Sequence, residues 1–525
     1  MWFDSFLESA KLRPHSVAIR FQRDEMIYDC LTYENLYQDV LLKYTHLKNL
    51  GIQKDDTIAY LSKNSVEHIT LLIASNMLGA SLLSLNFRLS EGEVLEIIEK
   101  VDPKLLVLSE DFLDCSWDKK RKINLSKLQE PCYLLEYQPL VDDPYQICLI
   151  LFTSGSTGEP KGVLMHSQML ETNIKGTVEN WKLTSTDKTI VETPFFHTGG
   201  YNVLCLPLLS IGGECLVKEK FEAEESLLQI KQFGMTVYFG VPTMFQMLFE
   251  KYEELKNKNH IQNGIFDSIR FFVSGGAPIQ TSLINAYQEL SIQFKQGFGM
   301  TEVGPNCFLL NEEDAVRKQG SIGKPMSHTI AKVRDEYGRE CQANEIGELE
   351  LGGEHLCFGY FKNDALFKQC RRNGLLKTGD LVRFDEEGYF YVVGRKKNMF
   401  ISGGENVYPA EVEKGIDKLG VFKESVVVPV KDQKWGEVGL CFYTSDQYRD
   451  DSSNDLARKM KMELMPILSK YKIPHYWIKI DEMPLLANGK VDRNYLKTHA
   501  EEALQSFSQI KNDDVNAKQN SHFMV

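Results

Sequence analysis

Short apolar runs that read as buried strands alternate with longer runs of helical period through the first half of the chain. That alternation restricts the fold more than any single motif. Leu31–Gly51, LTYENLYQDVLLKYTHLKNLG, has apolar residues at helical spacing and stops at a glycine suited to a C-cap. DTIAYLS then reads as a buried strand, VEHITLLIASNMLGA as a helix and KLLVLS as a second strand. The rhythm returns in KTIVETP, EESLLQIKQFG, MTVYFGVP and SIRFFVSGGAP. Strand then helix, repeated, predicts an α/β fold with parallel strands, because each parallel pair needs a crossover.

Between the two runs lies LFTSGSTGEPKGVLMHS, Leu151–Ser167. Thr153, Ser154, Ser156 and Thr157 supply hydroxyls. Gly155 and Gly158 let backbone N–H groups approach an anion, and Lys161 adds a mobile charge. These are parts for holding a polyphosphate. The loop does not follow the common G-x-x-x-x-G-K-[ST] pattern, since Pro160 stands where the second glycine would fall. The alternative is a plain Ser/Gly turn between the strand QICLILF and a helix.

Composition narrows the function classes. The chain has 525 residues and a formal net charge of −13, which argues against nucleic acid as a partner. Its 11 cysteines include no C-x-x-C pair, which argues against a zinc site or a disulfide framework and suits a reducing, cytoplasmic setting. The N-terminus is acidic early and lacks a long apolar segment, so no secretory signal is expected. No apolar run reaches membrane-spanning length, which leaves only peripheral membrane contact open.

The pattern changes near residue 380. GLLKTGDLVRFDEEGYFYVVGR has short β runs, with a hairpin turn at Asp385–Gly388. Pro409 is placed to start a helix with Glu411 and Glu413 in its first turn. ESVVVPV reads as a strand, and LARKMKMELMPILSKY as a helix broken at Pro466. A domain boundary is expected at Gly394–Lys397. That gives a large domain over 1–394, a small one over 395–505 and a polar tail over 506–525.

Four further segments follow the glycine loop in order: QGFGMTE (Gln296–Glu302), LLKTGD (Leu375–Asp380), VVGRKKN (Val392–Asn398) and PLLANGKVDR (Pro484–Arg493). Together with TSGSTGEPKG they resemble the adenylate-forming superfamily of acyl-CoA synthetases, adenylation domains and firefly-type luciferases, over nearly the whole chain. The resemblance implies a large N-terminal domain of parallel and mixed sheets with helices and a β-barrel-like part. It also implies a small, mobile α+β C-terminal domain. It implies ATP, Mg²⁺ and CoA: a carboxylate attacks the α-phosphate to give an acyl-adenylate, and a thiol then displaces AMP.

The same resemblance assigns residues. Thr153, Ser154, Gly155, Ser156, Thr157, Gly158 and Lys161 would grip the outer phosphates. Gly275, Gly276, Ala277 and Pro278 would line the adenine and acyl sites. In Gln296, Gly297, Phe298, Gly299, Met300, Thr301 and Glu302, the phenyl ring would stack on adenine, Thr301 would touch phosphate and Glu302 would hold the metal. Asp380 and Arg395 would take the ribose hydroxyls. Lys490 would act between the carboxylate and the α-phosphate. The small domain would then turn about Lys397, bringing Ser402, Gly403 and Gly404 to the pantetheine arm of CoA.

Two positions depart from the family pattern. Phe298 replaces the usual Tyr, and Asn398 replaces an acid beside the hinge. PFFHTGGYNVLCLPLL (Pro194–Leu209) resembles the acyl-pocket segment, with His197 where acyl-CoA synthetases carry one. It holds no Asp to pair an ammonium, so an amino acid is disfavoured. Tyr201, Val203, Leu204 and YFGVP suggest an acid with an apolar body, fatty or related. With no carrier domain after the small domain, the acceptor would be free: CoA, or a separate carrier protein as the alternative. A non-catalytic nucleotide-binding homologue and a luciferase-like oxygenase are the remaining readings.

Overall fold

Strands that alternate with helices can hydrogen-bond in parallel only if each crossover packs back on the sheet. The computed structural model follows that rule. It describes residues 1–24, 27–114, 122–153, 160–258, 264–277, 279–315, 317–445, 453–486 and 491–504. The chain forms two compact units. The first comprises Met1–Lys332, Glu350–Lys377 and Glu387–Phe390; the second comprises Val333–Leu349, Thr378–Glu386 and the chain from Tyr391 onward. The second therefore takes in residues before the expected 394/395 boundary.

The first unit is built on a seven-stranded sheet. Its order is Gly359–Tyr360, Lys161–His166, Ile147–Thr153, Ser81–Ser84, Thr57–Leu61, Leu105–Leu108 and Lys122–Asn124. The last five run parallel. Their connecting helices start on local signals. Thr32 accepts from the Asn35 N–H at 3.2 Å to cap Tyr33–Asn49, and Ser90 with Glu93 makes a capping box for Glu91–Val101. The first three strands are antiparallel. The glycine loop thus joins two strands of a hairpin, Thr153 pairing with Lys161, and a helix, Ser167–Asn180, begins only afterwards.

A four-stranded sheet runs Ile27–Thr32, Val17–Asp24, Glu214–Val217, Lys188–Val191. A five-stranded one runs Val237–Gly240, Phe271–Ser274, Phe294–Met300, Gly304–Leu310, Lys324–Pro325. Against the latter lies a core of Phe245, Phe272, Tyr287 and Phe294, with ring centroids 4.8 to 6.0 Å apart. Such pairs add about 0.5–1.5 kcal/mol each beyond area burial, so this corner is rigid.

In the second unit, Glu405–Val407, Phe400–Ser402, Gly436–Thr444 and Glu424–Asp432 form a sheet, with Tyr476–Lys479 beside Gly436–Thr444. Successive side chains of a strand point to opposite faces. Val427, Cys441 and Tyr443 pack with the helices Pro409–Asp417 and Ser453–Leu464 on one face. Val426, Val428, Val430, Leu440 and Phe442 pack with Leu496 and Ala500 of helix 493–504 on the other. Among the described residues no helix is long and apolar enough to cross a membrane.

Candidate functional site

Two paired strands and a hairpin turn of the first unit bring Lys161, Tyr360 and Glu302 together. Lys161 opens the strand Lys161–His166, and Gly359–Tyr360 pairs with that strand through Val163 and Leu164. The Lys161 ammonium lies 5.5 Å from the centre of the Tyr360 ring. The Tyr360 hydroxyl donates to Glu302 Oε1 at 2.9 Å. Burial first, and then the charge of Glu302, hold the phenol well above its ordinary pKa, so it stays a donor. Backbone bonds fix the approach: the Cys357 N–H donates to the Glu302 carbonyl at 2.8 Å, and the Phe361 N–H to Gly162 at 2.7 Å. His166 accepts the Met169 N–H at Nδ1 and donates from Nε2 to Leu356 at 2.9 Å, tying the same segment to the hairpin.

Glu302 is buried, 8% exposed, in the turn between Phe294–Met300 and Gly304–Leu310. That turn needs its glycines. A Cβ on Gly299 would stand 2.2 Å from the Pro305 carbonyl oxygen, and Gly304 has a φ of +79°. Phe298 pairs with Phe308 across the hairpin, their rings edge to face at 5.6 Å, and Gln296 pairs with Leu310. Gln296 also pairs with Ser274 of the neighbouring strand. Both Gln296 Nε2 and Ser274 Oγ are buried with no hydrogen-bond partner among the described residues. Buried polar atoms are rarely left so, and here they mark a place for a polar ligand.

Among the described residues no three acidic, His or Cys side chains gather as a ready-made metal cage. A lone buried carboxylate with one oxygen already bonded suits a hard cation that draws its other ligands from phosphates and water.

The acyl segment lies close to the SGGAP segment through one side chain. A Cβ on Gly199 would meet the Phe239 ring at 3.3 Å, and a Cβ on Gly275 would meet it at 3.2 Å. Gly276 has a φ of +82° and Ala277 follows it. His197 precedes a π-helical turn, Gly199–Val203, with its ring 4.8 Å from Phe196. The segment is held from below by Asn64, which donates to the Thr193 carbonyl at 3.0 Å and accepts from the Phe195 N–H at 3.0 Å.

In the second unit Asp380, 4% exposed, accepts from Arg395 Nε at 2.6 Å, and its N–H donates to Thr378 Oγ1 at 3.0 Å. Lys397 lies in the short turn Lys396–Asn398, where Lys396 pairs with Glu348 at 3.0 Å. Ser402 pairs with Glu405 across Gly403 and Gly404, whose φ values of +61° and +89° make a two-residue hairpin of the primed type. A Cβ on Gly403 would stand 2.7 Å from the Trp435 ring.

Ser154, Gly155, Ser156, Thr157, Gly158, Pro278 and Lys490 lie outside the described residues. Sequence reasoning missed Tyr360 and Trp435, and named Phe239 only within the YFGVP segment. Nothing in their spacing marks them, and only sheet register or a facing glycine reveals them.

The family described as AMP-binding enzyme matches residues 6–361. Feruloyl-CoA synthase of Amycolatopsis is 30% identical over 92% of this chain and 95% of that protein. The 2-succinylbenzoate–CoA ligase of Bacillus licheniformis is 30% identical over 93% and 98%. Among solved structures, o-succinylbenzoate coenzyme A synthetase from Bacillus subtilis, in complex with ATP and magnesium ion, superposes with a TM-score of 0.83 at 27% identity. That match covers 94% of this chain and 99% of the other. ATP-bound MatB from Rhodopseudomonas palustris superposes with a TM-score of 0.84 at 26% identity, over 95% and 99%.

Proposed function

The chain belongs to the AMP-binding enzyme family and is an AMP-forming acid–thiol ligase, and we propose that it joins an aromatic carboxylic acid to CoA, using ATP and Mg²⁺. The observation that carries the adenylation chemistry is the convergence of Lys161, Tyr360 and Glu302. The aromatic body is supported by the names of the relatives, which act on ferulate, indoleacetate and succinylbenzoate. Phe239, set between Gly199 and Gly275, suits a flat ring. The fatty acid expected from the apolar segments finds no support in those names.

The steps divide among the residues as follows. Thr153, the glycine loop and Lys161 hold the outer phosphates. Tyr360 fixes the carboxylate of Glu302, which would hold Mg²⁺; the cation neutralises phosphate charge when bound. Phe298 stacks on adenine, with Gln296 and the Gly275–Ala277 backbone beside it, and Asp380 with Arg395 takes the ribose. Lys490 stabilises charge as the acid's carboxylate oxygen attacks the α-phosphorus and the bond to pyrophosphate breaks. The small domain, from about residue 395, then turns about Lys397. The hairpin Ser402–Gly403–Gly404 lines the path of the thiol. The CoA sulfur, losing its proton, attacks the acyl carbon of the adenylate, and AMP leaves. His197 would face the acyl group, an assignment supported by its place in the Pro194–Leu209 segment. Positioning and charge stabilisation do the work, with no covalent enzyme intermediate.

Pyrophosphate release measured over a panel of aryl, arylalkyl and fatty acids, with and without CoA, tests this. The expected result is release with aryl acids and a thioester product with CoA. A preference for fatty acids replaces the aromatic reading. Product only on an added carrier protein replaces CoA as acceptor. Release with no acid at all overturns the ligase assignment.

A further inference from the structure

Two segments of the second unit have separate tasks in the proposed function: the Lys490 segment serves adenylation, and the Ser402–Gly404 hairpin serves thioester formation. A side-chain contact between Glu413 and Arg493 ties elements next to them. Arg493 is three residues beyond Lys490 and opens helix 493–504, whose first turn is capped by Asp492 accepting the Tyr495 N–H at 2.9 Å. Glu413 lies on the helix Pro409–Asp417, directly after the hairpin. Arg493 Nη1 donates to Glu413 Oε1 at 2.7 Å and Nη2 to Oε2 at 2.5 Å. Glu413 Oε1 also accepts the Val427 N–H at 2.7 Å, so the fork is locked to the central sheet. Glu413 is 9% exposed.

The exit of the lysine segment is fixed at the same place. The Asp492 N–H donates to the Pro484 carbonyl at 2.7 Å, and Leu485 bridges Val491, the residue after Lys490. A bidentate guanidinium–carboxylate pair sets orientation as well as distance, which a single point charge cannot do.

We propose that the Glu413–Arg493 pair is a positioning device for the first half-reaction, holding the anchor from which Lys490 reaches the α-phosphate. The inference rests on the assignment of Lys490 above. Neither residue touches substrate. Their effect is on the fraction of encounters in which the lysine is in place. It therefore appears in the turnover of adenylation and leaves both substrate affinities and the second half-reaction unchanged.

The test uses the full chain with the acid that the panel identifies. Glu413→Gln keeps both hydrogen-bond acceptor and size but removes the charge; Arg493→Lys keeps the charge but removes the fork. Each is expected to lower the kcat of pyrophosphate release by about tenfold or more, as loss of a charged, two-point contact does. KM for ATP and acid should stay within twofold, and thioester formation from supplied acyl-adenylate should be unchanged. Lys490→Ala serves as the reference. If it retains adenylation, the lysine assignment fails, independently of the pair. If Lys490→Ala is inactive in adenylation while Glu413→Gln and Arg493→Lys match the unmodified enzyme, the positioning inference is overturned. It is also overturned if both half-reactions fall together with the melting temperature, because the pair then only holds the fold.

Discussion

Each unit holds one nearly buried carboxylate at its candidate site, and the two are neutralised differently. Glu302 in the first unit is bonded by the uncharged phenol of Tyr360. Asp380 in the second is paired with the guanidinium of Arg395 at 2.6 Å. A carboxylate fixed by a neutral donor keeps its full charge for a ligand, which suits a cation. One already compensated by Arg is left as an acceptor, which suits a neutral hydroxyl. The partner of each acid tells which kind of ligand it is built to take.

That contrast breaks most visibly at Glu302. Glu302→Gln keeps the Tyr360 bond but removes the charge, and should lower kcat for pyrophosphate release by about 10²–10³-fold, the usual cost of one charge-stabilising group. Raising Mg²⁺ should recover part of the loss. Tyr360→Phe leaves the charge unanchored and should cost about tenfold, from the loss of a hydrogen bond to a charged group. Asp380→Asn should act instead on KM for ATP, raising it about tenfold with kcat little changed, since ribose is bound equally before and during reaction. Steady-state kinetics in ATP separates these. Equal kcat losses at Glu302 and Asp380 would erase the distinction between the two acids.

The glycines sharpen the same comparison in stability. Gly299 faces a carbonyl oxygen 2.2 Å from where a Cβ would stand, inside a sheet. Gly404 has a φ of +89° but open space around it. Gly299→Ala should therefore destabilise the first unit by about 3 kcal/mol or more, as overpacking against backbone does, and Gly404→Ala the second by about 1 kcal/mol. Urea melts of the two variants, followed unit by unit through protease protection, measure the difference. A Gly299→Ala variant of unchanged stability would mean that the hairpin can open without cost.

Acid should also distinguish the units. His68 and His355, both fully buried in the first unit, are driven down to about 3 by burial, with the charge of His328 adding to the effect on His355. In the unfolded chain each titrates near 6.5. The unfolded state therefore takes up protons first as pH falls. The stability contributed is present at neutral pH and is lost from about pH 6.5 downward, roughly 2 kcal/mol per histidine by pH 5. Melts at pH 7.5 and pH 5 should show the first unit weakening, and His355→Asn should flatten that dependence. A profile unchanged by the substitution would locate the acid sensitivity elsewhere.

The legible part of the molecule is what local sequence encodes. The period of Leu31–Gly51, the Ser90–Glu93 capping box and Pro409 at a helix start are each decided within a few residues. So are three strands of the parallel sheet, Thr57–Leu61, Leu105–Leu108 and Ile147–Thr153, because buried strands carry unbroken apolar runs; the short strands Ser81–Ser84 and Lys122–Asn124 carry no such signal. What was not legible depends on register between distant strands. Tyr360 reaches Glu302 only because Gly359–Tyr360 pairs with Lys161–His166, almost 200 residues earlier in sequence by count from the alignment of Tyr360 with Val163. The strand after the glycine loop was missed for a similar reason: KGVLMH is apolar enough for either element, and pairing with Ile147–Thr153 decides it.

Asn398 gives the smallest expected effect and the most direct probe of the second unit's mobility. It ends the turn Lys396–Asn398 at the candidate hinge, next to Lys396, which is paired with Glu348 at 3.0 Å. An acid there adds one half-buried charge beside two exposed lysines. Exposed pairs contribute about 0.2–1 kcal/mol, so Asn398→Asp should leave the melting temperature nearly unmoved. The same energy applied to a two-state orientation changes its ratio by about two- to fivefold. The two half-reactions draw on opposite orientations in the proposed cycle, so their rates should shift in opposite senses by that factor. Single-turnover measurement of adenylation, and of thioester formation from supplied acyl-adenylate, reads both. Rates that move together, or not at all, would show that the turn at Asn398 does not set the balance.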